Sequence, residues 1–159
     1  MLNTIKLAIG TLFGAGLSPV APGTVGSLLT LPLIYLSLLF FPYYGIVYLL
    51  LAAILLSFWS AQAATEKFGE DPPQFVMDEC AGQALTFVSV GLFHDLTNNL
   101  YLLAIGFLLF RFFDIRKPLG INRLQKLHGS TGILTDDLLA GFYALIILEL
   151  LLVFAAYMG

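Results

Sequence analysis

Two carboxylate doublets and one compact cationic cluster carry most of the chemistry available to this chain. Asp78 and Glu79 stand side by side at the threshold of an apolar run, and Asp136 and Asp137 repeat the arrangement before another. Between them lies Arg111-Phe-Phe-Asp114-Ile-Arg116-Lys117. A helix N-terminus is served by one capping acceptor, worth about 1 kcal/mol, so two doublets exceed what capping requires. Like charges in contact raise each other's pKa unless a cation neutralises them. Mg²⁺ suits that role, because it takes hard oxygen ligands from a few carboxylates and from substrate phosphate. Asp78, Glu79, Asp114, Asp136 and Asp137 are therefore the candidate metal ligands and, with Lys117, the candidate catalytic residues. Arg111, Arg116 and Lys117 have the donor geometry for a phosphate monoester. Carboxylates, a divalent ion and Arg/Lys side chains together make phosphoryl-transfer chemistry.

Two further blocks add to this set. His128, in Leu127-His128-Gly129, can protonate a leaving group. Ser18-Pro-Val-Ala-Pro-Gly-Thr-Val-Gly-Ser27 precedes an apolar helix, and its amides with the Thr24 and Ser27 hydroxyls can face a phosphate at the helix start. It lacks the Lys-Ser/Thr ending of a P-loop and reads equally as a rigid turn. Arg123 and Lys126 read as a headgroup belt.

The elements that position these residues must lie in a membrane. The 159 residues are 59% hydrophobic and 11% charged, against about 25% charged in a soluble domain. A net charge of -3 and a pI near 5.1 exclude nucleic-acid binding through a basic face. The single cysteine, Cys80, excludes an intrachain disulfide and a Cys-x-x-Cys metal site. The expected architecture is all-α: one domain over 1–159, a small polytopic bundle of about four to five transmembrane helices. A span needs about 20 apolar residues. Runs at 24–41, 44–64, 97–113 and 138–158 meet or approach that length, and a shorter one at 80–93 brings the count to five. Residues 1–23 show no cleavage site and read as broken or interfacial structure.

Short links at 42–43 and 94–96 turn 24–64 and 80–113 into two hairpins whose tips share one face. All seven Lys and Arg residues then fall on the opposite face, which the positive-inside rule makes cytoplasmic. Of the ten acidic residues only Asp95 and Glu149 lie elsewhere. Glu149 stands inside an apolar helix, where an exposed charge costs about 2.5–3.5 kcal/mol. It supports an alternative reading, a small transporter or scaffold, which the one-sided placement of the other charges disfavours.

Four ordered strings resemble the phosphatidylglycerophosphatase A family. They are Ser18 to Ser27, as quoted; Val76-Met-Asp-Glu-Cys-Ala-Gly82; Phe110-Arg-Phe-Phe-Asp-Ile-Arg-Lys-Pro118; and Leu127-His-Gly-Ser-Thr-Gly132 running into Asp136-Asp-Leu-Leu-Ala-Gly141. Gly120 and Gly129-Ser130 depart from the family pattern in loops and leave the charged set intact. The resemblance implies a Mg²⁺-dependent lipid phosphatase of the bacterial inner membrane, multi-pass, with its site facing the cytoplasm. Its implied reaction converts phosphatidylglycerophosphate to phosphatidylglycerol and inorganic phosphate, the last step of phosphatidylglycerol synthesis. The chain lacks an Asp-x-Asp-x-Thr/Val string, which favours water over aspartate as the nucleophile. It also lacks the spaced signatures of CDP-alcohol phosphatidyltransferases and of lipid phosphatases with a His nucleophile.

Overall fold

The computed structural model describes residues 1–118, 121 and 130–158, without the side chains of 130–133. Helix α1 (Leu2–Gly10) and a 3-10 turn (Ala15–Leu17) lead into α2 (Pro22–Phe40), followed by α3 (Gly45–Phe68), α4 (Met77–Leu85), α5 (Leu96–Arg116) and α6 (Ser130–Met158). No strand occurs among the described residues. Pro22 opens α2 at a position where its missing N–H costs nothing. Inside the apolar helices the hydroxyls are satisfied locally: Ser27 Oγ donates to the Gly23 carbonyl and Thr30 Oγ1 to that of Gly26, each at 2.9 Å. Such pairing is required where no water is at hand.

Four helices are long and apolar enough to cross a bilayer: α2, α3, α5 and the Leu134–Met158 part of α6. At 1.5 Å per residue they match a hydrocarbon core about 30 Å thick. Helix α1, with nine residues, reaches only about 14 Å.

The expected fifth span, 80–93, differs. Its helix begins earlier, at Met77, and stops at Leu85; a turn at 86–89 and irregular chain lead to Asp95. Irregular backbone survives at membrane depth only when protein surrounds it. Here Thr86, Phe87 and Val90 are buried against the bundle, while Ser89, Gly91 and residues 93–95 are exposed toward its far end. Asn99 closes the irregular stretch, accepting from Phe93 N at 2.7 Å and donating to Phe93 O at 3.0 Å. Small residues permit the close packing. A Cβ on Gly82 would strike the Asp137 backbone, and one on Gly141 the Gly82 backbone.

Those contacts also set direction. Gly82 lies against Asp137 and Gly141, while farther along both elements Ser89 Oγ donates to Glu149 Oε1 at 2.6 Å. Helix α4 with its continuation therefore runs parallel to α6. Phe87 packs on Gly106, antiparallel to α5. The chain still passes from one end of the bundle to the other between Met77 and Leu96, so it makes five passes with four full helices. The starts of α2, α4 and α6 and the finishes of α3 and α5 meet at one end. Glu149 sits toward the other.

A second difference concerns the last helix. Its start at Ser130, not at 138, puts Asp136 and Asp137 in its second turn rather than ahead of it. The polar Ser130-Thr-Gly stretch continues helically what the apolar pattern alone begins later.

Candidate active site

At the shared end, a cleft of about 90 Å³ is lined by Asp78, Glu79, Asp114, Lys117, Asp136 and Asp137, together with residues of the 69–76 loop. It has room for a phosphoryl group and a few waters and none for acyl chains. Asp78 and Glu79 come from the first turn of α4. Neither caps it: the N-cap is Val76, without a side-chain bond, and Asp78 Oδ1 accepts from Glu79 N at 3.1 Å. Gly23, in the first turn of α2, lets Glu79 approach, since a Cβ there would collide with the Glu79 carboxylate.

The five acids divide by partner. Asp114 Oδ2 lies 2.6 Å from Arg111 Nη1 across one turn of α5. Asp136 Oδ2 pairs with Lys117 Nζ, joining α5 to α6. The other three converge instead on one another: an oxygen from each of Asp78, Glu79 and Asp137 lies within 4.8 Å of the other two. Asp78 and Asp137 are only 4% and 5% exposed. Glu79 Oε2 and Asp136 Oδ1 are buried with no hydrogen-bond partner among the described residues.

Buried carboxylates without a cation resist ionisation. Burial, with a smaller contribution from the Asp136 charge, raises Asp78 to about 7. Burial and the neighbouring Asp78 charge push Glu79 well above its usual range. For Lys117, half-burial acts to lower the pKa, but its bond to Asp136 and the charges of Asp136, Asp137 and Asp114 outweigh it, so the ammonium is held protonated. This donor set fits a divalent cation. Mg²⁺ takes hard oxygen ligands of this kind, and the three carboxylates already bring an oxygen each to within 4.8 Å of the other two.

Lys117 and Asp71 both adopt left-handed backbone, with φ of 44° and 48°. Such conformations cost of order 1 kcal/mol in non-glycine residues and cluster at functional sites. At Lys117 it ends α5 and turns the chain beside Asp136.

The remaining expected site residues are placed less centrally. Ser27 is buried behind Arg111, accepting from Nη1 at 3.4 Å while donating to its own helix. Thr24 lies in the first turn of α2; neither hydroxyl lines the cleft. Arg116 is exposed and outside the lining. His128, Arg123 and Lys126 fall outside the described residues. Sequence reasoning gave no role to Asp71, Pro72, Pro73 and Phe75, which the cleft includes. The Asp-Pro-Pro string, stiff and acid-bearing, was the available signal.

The profile of a family described as Phosphatidylglycerophosphatase A matches residues 8–152. A Haemophilus influenzae protein named Phosphatidylglycerophosphatase A is 40% identical over 155 residues, covering 92% of this chain and 88% of its own. An Escherichia coli protein of the same name is 34% identical over 137 residues, covering 85% and 75%. A Bacteroides thetaiotaomicron protein, named provisionally as a phosphatidylinositol-3-phosphatase, is 36% identical over 149 residues, covering 91% of each chain. No solved structure matches.

Proposed function

The chain belongs to the phosphatidylglycerophosphatase A family of phosphatases, and from that premise we propose that it hydrolyses phosphatidylglycerophosphate to phosphatidylglycerol and inorganic phosphate with Mg²⁺ as cofactor. The observation that carries the proposal is the division among the acids. Asp114 and Asp136 form ion pairs with Arg111 and Lys117, while three buried acids, Asp78, Glu79 and Asp137, share a point and form no ion pair among the described residues.

In this reading Asp78, Glu79 and Asp137 hold the ion. When bound, Mg²⁺ supplies charge to the phosphoryl oxygens and acidifies water. Lys117, in the cleft lining, binds the phosphate and is aimed by Asp136, while Arg111, outside the lining and paired with Asp114, adds positive charge at its edge. Asp136 has one oxygen on Lys117 and a second unpartnered, so it can take a proton from the attacking water. Water oxygen adds to phosphorus as the bond to the glycerol oxygen breaks, and that oxygen leaves with a proton, for which His128 is the proposed donor. Arg116, Thr24 and Ser27 act from outside the cleft: Arg116 at the headgroup plane, Thr24 and Ser27 by shaping the α2 start that holds Arg111.

The apolar bundle keeps this chemistry at headgroup depth, and diffusion in the membrane plane delivers the lipid. Lys67, Arg111, Arg116 and Lys117 gather at the site end, so the positive-inside rule turns that end to the cytoplasm of a bacterial inner membrane. There the reaction serves phosphatidylglycerol synthesis. Glu149, which accepts a hydrogen bond from Ser89 toward the opposite end, has no role in this hydrolysis.

The deciding experiment is phosphate release by the purified protein from phosphatidylglycerophosphate, with Mg²⁺ and with a chelator. Phosphatidylinositol 3-phosphate, the substrate class in the Bacteroides relative's name, is the competing substrate. Mg²⁺-dependent release from phosphatidylglycerophosphate is expected; release unaffected by chelation, or preference for the inositol lipid, would overturn the assignment.

A further inference from the structure

An open apolar groove of about 590 Å³ runs between α2 and α5, and no step of the hydrolysis uses it. Leu28, Pro32 and Tyr35 form one wall and Leu100, Ala104 and Phe107 the other. Resting on the lipid-phosphatase reading, we propose that this groove seats one acyl chain of the substrate whose phosphate lies in the carboxylate cleft.

The argument is one of continuity. On α5, Leu96, Leu100, Leu103, Phe107 and Arg111 follow each other at intervals of three or four, so one helix face carries both the groove wall and the arginine at the cleft's edge. On α2, Ser27 precedes Leu28 and shares a face with Leu31 and Tyr35. The hydrogen bond from Arg111 Nη1 to Ser27 Oγ, at 3.4 Å, bridges these same two helices at the groove's head. Arg111 in turn pairs with Asp114 of the cleft. A ligand filling both places must be apolar along its length and anionic at one end, which describes a lipid phosphomonoester.

Size separates an acyl chain from a partner helix. From Phe107 to Leu96 the groove follows about 16 Å of helix, so its 590 Å³ correspond to roughly 40 Å² of cross-section. A helix with side chains, about 10–12 Å across, needs about two to three times that. Nor does the groove have to extract the chain from water. Lipid tails are as apolar as leucine, so it gains by packing and by holding the lipid at one depth. Its effect should therefore appear in positioning, as a change in kcat/KM for long-chain substrate.

The test uses the full-length protein in phospholipid vesicles. A phosphatidylglycerophosphate with a photoreactive acyl chain is compared with a phosphatidylcholine carrying the same chain. The proposal expects the first probe to label residues 28–35 and 96–107 in preference to 48–58 of α3, and the second to label these segments evenly. Even labelling by both probes would make the groove ordinary lipid annulus and overturn the proposal, as would capture of another protein's helix there. In parallel, Ala104→Trp should reduce the preference for long-chain over short-chain substrate by about tenfold. Leu55→Trp, on the exposed face of α3, should not change it. An unchanged preference in Ala104→Trp protein that still releases phosphate would also overturn the groove. If the unsubstituted protein releases phosphate from neither substrate, the phosphatase reading itself falls.

Discussion

Lys117, the left-handed residue that ends α5, forms an ion pair with Asp136 in the second turn of α6, nineteen positions away. The pair ties together two helices that the chain connects through residues 118–129, and it places an ammonium in the cleft lining with Asp78, Glu79 and Asp137. Lys117→Ala should lower kcat/KM by about 10²-fold or more, as loss of a preorganised charge does. Lys126→Ala, a headgroup-belt change, should stay within a few-fold in the same phosphate-release assay. Equal small losses from both would return Lys117 to the belt.

The division of the acids makes a graded prediction for Mg²⁺. Asp78→Asn, Glu79→Gln and Asp137→Asn should each abolish turnover at millimolar Mg²⁺ and raise the Mg²⁺ concentration needed for any residual activity. Asp114→Asn should reduce turnover through Arg111 while leaving that Mg²⁺ requirement near the starting value. Titrating Mg²⁺ for each variant in one vesicle preparation tests the division. An unaltered Mg²⁺ requirement in Asp78→Asn protein would remove it from the ligand set.

Stability should depend on pH in a direction set by Asp78. Its carboxyl is raised from 3.8 to about 7 by burial, so without a cation the folded state holds a proton that the unfolded chain releases. That contribution to stability is complete below about pH 4 and is lost as pH rises through about 7. Melting of the detergent-solubilised protein in chelator should therefore fall as pH rises from about 4 through 7. Added Mg²⁺ should raise the melting temperature more at pH 8 than at pH 5, since it competes with that proton. A larger Mg²⁺ effect at pH 5 would contradict the reading.

Five passes put the two ends of the bundle on opposite sides of the membrane. Glu70→Cys, beside the cleft, should be protected from an impermeant thiol reagent added outside intact cells. Asn98→Cys, at the start of α5, should react. Cys80 is buried and should stay silent in both. The reverse pattern would invert the topology and remove the site from the cytoplasmic leaflet.

Composition alone determined the membrane class, because so few charges cannot cover a surface facing water. The lengths of the apolar runs located α2, α3, α5 and most of α6, since bilayer thickness imposes a length that composition reveals directly. Adjacent acids with nearby basic residues also marked the chemistry, because like charges in apolar surroundings demand a counter-ion. Other features depended on contacts between distant segments. That 80–93 is a short helix with irregular continuation followed from the close approach of Gly82 to Gly141 and from Asn99 closing the backbone at Phe93; neither pairing has a local signature. Nothing in the spacing of Asp78, Glu79, Asp114, Asp136 and Asp137 distinguished an acid bound to a cation from one left without. Only the packing of α4 against α5 and α6 separated them, because a carboxylate's partner is set by which helix end lies within a few ångströms, and that distance is a property of the fold.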